Sequence, residues 1–200
     1  PLVLVRQSRS GAFEGSTQIF VYTHDMPNLF AASVAALDQL HLTVMDARII
    51  TAQSNFSLDS YIVLDENGES ITDDRRLEHI RDTLVRTLSQ PDQFPEIVKR
   101  RMPRQLRHFD VKTQIHISQD PAYARTIVEV ITLDRPGLLA RIGRLFMEQG
   151  VSLQNARIAT LGERAEDVFF ITDKQQQPIT DPALCEQLAL ALRDQLDQPA

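Results

Sequence analysis

The chain is one unit written twice. Residues 16–52 and 125–161 align without a gap at an offset of 109. Thr17, Val21 and Thr23 return as Thr126, Val130 and Thr132, and Asp25, Pro27, Leu29 and Ala31 return as Asp134, Pro136, Leu138 and Ala140. Ala47-Arg48-Ile49 returns as Ala156-Arg157-Ile158, and after a one-residue slip Ile71-Thr72-Asp73 returns as Ile179-Thr180-Asp181. A period near 100 is the size of a domain, so the pattern reads as a duplication and not as a solenoid of short stacked repeats.

Each copy carries the same order of signals. Residues 16–24 alternate polar and apolar around Ile19 and Val21, which predicts a strand. Asp25 and Pro27 then predict a helix start, with Asp as N-cap and proline in the first turn. Leu29, Phe30, Val34, Leu37 and Leu40 fall on one helical face. Strands are predicted from Leu42 to Ala52 and Leu58 to Leu64. Thr72 or Asp73 should cap a second helix with Leu77, Ile80, Leu84 and Leu88 along one stripe. In the second copy the strands are Thr126–Leu133, Val151–Leu161 and Asp167–Thr172. Its helices run from about Gly137 to Gln149 and from Asp181 to Leu196, with Gly150 placed to end the first.

The unit is thus β-α-β-β-α and wants a closing strand. Phe109–Ile117 alternates well and is expected to close the first copy, giving a ferredoxin-like βαββαβ fold of the α+β class, an antiparallel sheet with helices on one face. The second copy has no strand after its last helix. The N-terminal strand Leu2-Val3-Leu4-Val5 is expected to complete the second sheet or sit beside it, because an open edge invites aggregation. The alternative is a disordered lead-in. The division that follows is a lead-in at 1–15, a first domain at 16–118 and a second at 119–200. The first domain includes a proline-bearing basic segment at 90–108, read as a solvated linker or as a docking strip for an acidic partner or nucleic acid, the latter weakened because only Phe94 offers a ring for base stacking.

Composition narrows the function classes. A formal net charge of −6 makes nucleic acid and anionic membrane poor partners. Cys185 is the only cysteine, which rules out an intramolecular disulfide and a cysteine metal cluster and fits the cytoplasm. The longest apolar runs are far short of the ~20 residues a membrane helix needs. A chain beginning at Pro1 is expected to be a processed product or part of a longer protein. His24-Asp25 is the dipeptide of metal phosphohydrolases, but His41, His79, His108 and His116 show no ligand spacing around it. No P-loop, nucleophile elbow or dinucleotide fingerprint occurs. Asp73-Asp74 reads as a helix cap and Glu163, Glu166 and Asp167 as a hairpin turn. No catalytic residue, metal site or cofactor is therefore expected within these residues.

The most specific local feature is Asp134-Arg135-Pro136-Gly137-Leu138-Leu139, where a strand passes into a helix. A helix start leaves main-chain N–H groups unpaired and partly positive, and Gly137 removes the side chain that would block a carboxylate from reaching them. Asp134 would face an ammonium group nearby. The pair suits a zwitterionic amino acid, although Asp134 as a plain cap and Pro-Gly as a plain turn fit the same residues. Gln154 and Asn155 on the next strand offer side-chain amides, or are simply exposed. The first copy has Asn28 where the second has Gly137, and Asp46 where the second has Asn155. A second site at Asp25, Asn28, Leu29 and Asp46 is therefore more hindered. A pseudo-symmetric arrangement would instead hold ligand between the loop of one copy and the strand of the other.

The run from Leu133 to Ile142, followed by Gly150-Val151-Ser152-Leu153, resembles the ACT domain, a regulatory module that binds amino acids at domain interfaces. The run Gln154 to Phe169, with Leu29-Phe30-Ala31-Ala32, Leu106-Arg107-His108-Phe109 and Pro1 to Val5, is similar to the C-terminal tandem ACT region of the bifunctional uridylyltransferase/uridylyl-removing family. That resemblance covers essentially the whole chain. It implies a parent that uridylylates the PII protein when glutamine is scarce and removes the groups when it is plentiful. The implied parent carries Mg-dependent catalytic domains upstream and senses glutamine through the ACT pair. The resemblance would put Asp134, Arg135, Gly137, Leu138 and Leu139 on the loop side of a glutamine site and Ser152, Gln154 and Asn155 on the strand side. It allows a homodimer, and ligand-free dimerisation through the ACT units is the competing reading.

Overall fold

The computed structural model describes residues 1–8, 15–26, 28–51, 55–90 and 111–197. In chain order the elements are β1 (Leu2–Gln7), β2 (Thr17–His24), α1 (Leu29–Gln39), β3 (Thr43–Thr51), β4 (Phe56–Leu64) and α2 (Asp74–Leu88), then β5 (Gln114–Asp120), β6 (Arg125–Leu133), α3 (Leu138–Glu148), β7 (Ser152–Leu161), β8 (Arg164–Thr172) and α4 (Pro182–Asp197). The strands form one antiparallel eight-stranded sheet in the order β1-β2-β4-β3-β7-β8-β6-β5. The helices lie on one face, in contact in the series α2-α1-α3-α4. The ferredoxin-like ACT fold is the one the sequence predicts.

The period-2 alternation decides what faces the helices. On β2, Thr17, Ile19, Val21 and Thr23 are buried while Tyr22 and His24 are exposed. The helix stripes meet this face: Leu29, Phe30, Val34 and Leu37 from α1, Leu138, Ile142, Leu145 and Phe146 from α3, and Ile80, Leu84 and Leu88 from α2 are all buried. Each such side chain contributes roughly 1.5–3 kcal/mol on burial. Asp73 caps α2, accepting the Arg75 N–H at 3.0 Å. Gly150, at φ 66°, ends α3 as predicted, with the Val151 N–H donating to the Phe146 carbonyl and the Gly150 N–H to that of Met147. His41 takes the same left-handed place after α1.

Both edge strands differ from expectation. The N-terminal strand does not complete the second unit's sheet. It pairs with β2 of the first unit, Leu2 opposite Tyr22 and Gln7 opposite Thr17. The strand expected to close the first unit is β5, which pairs with β6 of the second. Residues 109 and 110 of that predicted strand lie outside the described residues, and a boundary between 118 and 119 would cut β5 in two. The physical reason is hairpin locality. Residues 121–124 alone join β5 to β6, so their pairing closes a very short loop and costs little chain entropy. Arg125 fastens the hairpin, bonding Asp120 at 2.7 Å and lying over the rings of Tyr123 and Phe170. Each unit therefore receives its edge strand before its core and not after. The basic segment at 90–108 lies outside the described residues apart from Gln90.

The two predicted sheets are also continuous. β3 pairs with β7 so that Ala47 faces Ile158, Arg48 faces Arg157 and Ile49 faces Ala156. The repeated Ala-Arg-Ile triplets thus pair with each other, and the Arg48–Arg157 pair marks a pseudo-two-fold axis. Above it α1 and α3 cross closely: a side chain on Gly143 would sit 2.8 Å from the Ala31 Cα. The face away from the helices is not covered by any described residues and carries Leu2, Leu4, Tyr22, Leu58 and Ile50, each 44–56% exposed. Among the described residues no helix is long and apolar enough to cross a membrane.

Candidate functional site

The seam between the units holds two cavities related by the pseudo-dyad. The first, of about 490 Å³, lies between the β6–α3 loop of the second unit and the second half of α1 and the start of β3 of the first. Asp134, Gly137, Leu139, Val34, Asp38 and Thr43 are among its walls. The second, of about 550 Å³, exchanges the roles: Asp25, Asn28 and Phe30 face Gly143, Met147 and Ser152. Both volumes are in the range of small-ligand pockets.

The helix starts are alike in backbone and unlike in side chain. Gly137 precedes α3 at φ 75° and Asn28 precedes α1 at φ 66°, and neither helix has a side-chain cap. Asp25 and Asp134 are thus not N-caps, contrary to the helix start predicted from the sequence; Pro27 lies outside the described residues. Glycine and asparagine are the residues that tolerate this left-handed geometry, which explains why one replaces the other. In place of capping, the two aspartates are tethered by their own main-chain N–H groups, Asp134 to the Glu163 carbonyl and Asp25 to the Asn55 carbonyl, both at 2.8 Å.

Behind each loop stands a second acid. Asp167 on β8 lines the first cavity and is 1% exposed. Its Oδ1 accepts the Ala159 N–H at 3.3 Å, and its Oδ2 has no hydrogen-bond partner among the described residues. Burial pushes its carboxyl up to about 8, opposed by the Ala159 N–H and reinforced by the charge of Asp134. Burial likewise pushes Asp134 up to about 6, against a bond from the Arg135 N–H. The counterpart in the first unit, Asp59, is fully buried, yet Ser57 and Tyr61 both donate hydroxyl hydrogens to it. Burial raises it only to about 6 against those two bonds. The rims differ too: Glu66 stands at the first cavity, whereas Lys174 lies against Gly150 at the second.

The candidate residues read from the sequence divide between these places. Asp134, Arg135, Gly137, Leu138 and Leu139 line the first cavity. Ser152 lines the second, where it joins Asp25, Asn28 and Leu29. Gln154, Asn155 and Asp46 line neither. The Gln154 side-chain amide donates to the Thr172 hydroxyl at 3.2 Å, and Asn155 and Asp46 sit on the seam strands opposite Ile50 and Ala159. Of the strand-side candidates of the second copy, only Ser152 reaches a cavity, and it is not the one lined by that copy's loop. Among the described residues no group of three or more His, Cys, Asp or Glu side chains is placed to hold a metal ion.

Asp167 and Asp59 escape a motif search. The sequence puts Asp167 at the first position of a strand and reads its carboxyl as part of the hairpin turn, but β8 begins at Arg164, which sets Asp167 well inside the strand. The usable signal was phase. Ala165, Asp167, Phe169 and Ile171 share the inward face, as Ser57, Asp59, Tyr61 and Val63 do, so a carboxyl at that phase must be buried.

Residues 126–188 match the ACT domain family. Over 98% of its length the chain is 54% identical to the bifunctional uridylyltransferase/uridylyl-removing enzyme of Pseudomonas syringae pv. tomato and 53% identical to that of Azotobacter vinelandii. It spans 22% of the length of each relative. Among solved structures, aspartate kinase from Synechocystis aligns over 91% of this chain and 26% of its own, with a TM-score of 0.49 and 13% identity. The chain thus carries an ACT domain and matches, over almost its whole length, the C-terminal portion of the bifunctional uridylyltransferase/uridylyl-removing enzymes.

Proposed function

We propose that this chain is the glutamine-sensing regulatory module of a cytoplasmic uridylyltransferase/uridylyl-removing enzyme that acts on PII. The observation that carries the reading is the first cavity, where the start of α3 and two carboxyls of one unit face the other unit. The α-carboxylate of glutamine docks on the first-turn amides of Leu139 and Ala140, where a helix start is partly positive. The ammonium group lies toward Asp134. Because both units wall the cavity, an occupant favours one packing of the units over another. A ligand shifts only the equilibrium whose states it distinguishes, typically by roughly 1–3 kcal/mol. That bias passes to the Mg-dependent catalytic domains of the longer chain, and these residues supply no catalytic group of their own.

Calorimetric titration of the chain with glutamine, glutamate and serine tests this. Heat selective for glutamine supports the sensor; no heat with any of the three sinks it. A second reading, ligand-free docking or homodimerisation, is favoured by the sheet face with exposed Leu2, Leu4, Tyr22, Ile50 and Leu58. A silent titration combined with a persistent dimer in sedimentation would select it.

A further inference from the structure

The two cavities are alike in backbone but not in chemistry, and one difference lies in what surrounds the buried acid of each unit. In the first unit the buried carboxyl of Asp59 is flanked on its strand by Ser57 and Tyr61, whose hydroxyls bond its two oxygens. In the second unit Ala165 and Phe169 occupy those flanking places. Both hydroxyls are missing, and among the described residues Asp167 Oδ2 is left without a partner. A buried polar atom without a partner destabilises the fold, more so when it is charged. Here that atom belongs to a side chain in the wall of a cavity large enough for a guest. The buried acid in the wall of the first cavity is therefore missing a hydrogen-bond donor, whereas its counterpart Asp59 already has two.

We propose that Asp167 reads the ligand: its Oδ2 takes an N–H of the bound amino acid's ammonium group, alongside Asp134, and this makes the first cavity the amino-acid site in preference to its pseudo-dyad twin. The assignment rests on the sensing function proposed above. It also implies a proton step. Burial keeps the Asp167 carboxyl protonated at neutral pH; when an ammonium group seats against it, the carboxyl proton leaves to the buffer and an N–H to carboxylate contact replaces it. The charged groups facing the cavity are Asp38 from α1, Glu66 from the turn after β4, Asp134 and Arg135 from the β6–α3 loop, and Glu163 from the β7–β8 turn. Acids dominate this set, which favours a cationic head.

Titration calorimetry of the 200-residue chain with glutamine, at pH 7 in two buffers of different ionisation enthalpy, tests the assignment. The wild-type chain should take one glutamine and release protons. Asp167→Asn should bind roughly ten- to hundredfold more weakly, as expected for losing a bond to a charged group, with the proton release gone. Ala165→Ser installs beside Asp167 the hydroxyl that Ser57 supplies to Asp59. It should weaken binding in the same way while leaving the fold intact. If both variants bind like wild type, or if the wild-type chain takes two glutamines of equal affinity, the assignment is overturned and the sensing function stands. If the wild-type chain takes up no glutamine, both fall.

Discussion

Replacing Asp167 with asparagine should change how stability depends on pH. In the unfolded chain this carboxyl titrates near its ordinary 3.8, whereas burial raises it to about 8 in the fold. Between those values the folded protein holds a proton that the unfolded chain has lost. The stability this carboxyl contributes is therefore fully present below its unfolded value, falls as pH rises, and is lost above about 8. The slope contributed by one such group is about 1.4 kcal/mol per pH unit. Asp134 and Asp59 act in the same direction, but each is raised only to about 6, so their contributions are finished near that pH. From pH 6 to 8 the slope belongs mainly to Asp167 and amounts to roughly 2–3 kcal/mol. With a urea m-value of about 2 kcal/mol/M, the wild-type midpoint should drop by about 1 M over that interval. Asp167→Asn keeps the shape and can keep the bond from the Ala159 N–H, but cannot ionise. Its midpoint should stay flat from pH 6 to 8, matching wild type at low pH and exceeding it at pH 8. Parallel curves for the two proteins across that interval would refute the burial-driven protonation of Asp167.

Three further perturbations probe the frame around the cavity. Gly143→Val, which copies Val34 of the other unit, drives a side chain against the α1 backbone at Ala31; a loss of about 1–3 kcal/mol in urea unfolding is expected, and no loss would mean the crossing is looser than described. Arg48→Glu turns the like-charged pair on the pseudo-dyad into an opposite-charged one and should raise stability by about 0.2–1 kcal/mol in low salt, with the gain absent when Arg157 is also made Ala; a destabilised single variant would contradict the pairing. At position 137, asparagine should be tolerated in thermal melts because Asn28 holds the same left-handed geometry, while valine should cost about 1–2 kcal/mol or more; equal melting temperatures for the two would count against the φ of 75°.

Much of this fold was legible because its signals are local. The helix stripe of Ile80, Leu84 and Leu88, the Asp73 cap and the Gly150 stop each depend on residues close together along the chain, and the duplication shows each such signal twice. Strand partnership is not local in that sense. The segment around Ile115 alternates equally well for either unit, and what decides its partner is the four-residue loop to Arg125, a matter of chain entropy. The seam was hidden for a different reason. Ala47-Arg48-Ile49 and its repeat read as ordinary strand, and nothing in either copy says that it pairs with the other. The site was half legible. The loop from Asp134 to Leu139 declared itself through Pro136 and Gly137, but the strand-side candidates were sought in the same copy, whereas the seam brings Thr43 of the opposite copy to that loop. Asp167 looked like a turn acid because Glu163 and Glu166 surround it, and only its inward phase marked it as buried.

The most direct measurement is a crystal structure of the chain grown with glutamine. Density for one amino acid should appear in the first cavity, its carboxylate against the amides of Leu139 and Ala140 beside Gly137 and its ammonium group within hydrogen-bond distance of Asp134 and Asp167. Glutamine bound elsewhere, or a first cavity closed by its own side chains at saturating glutamine, would contradict the account.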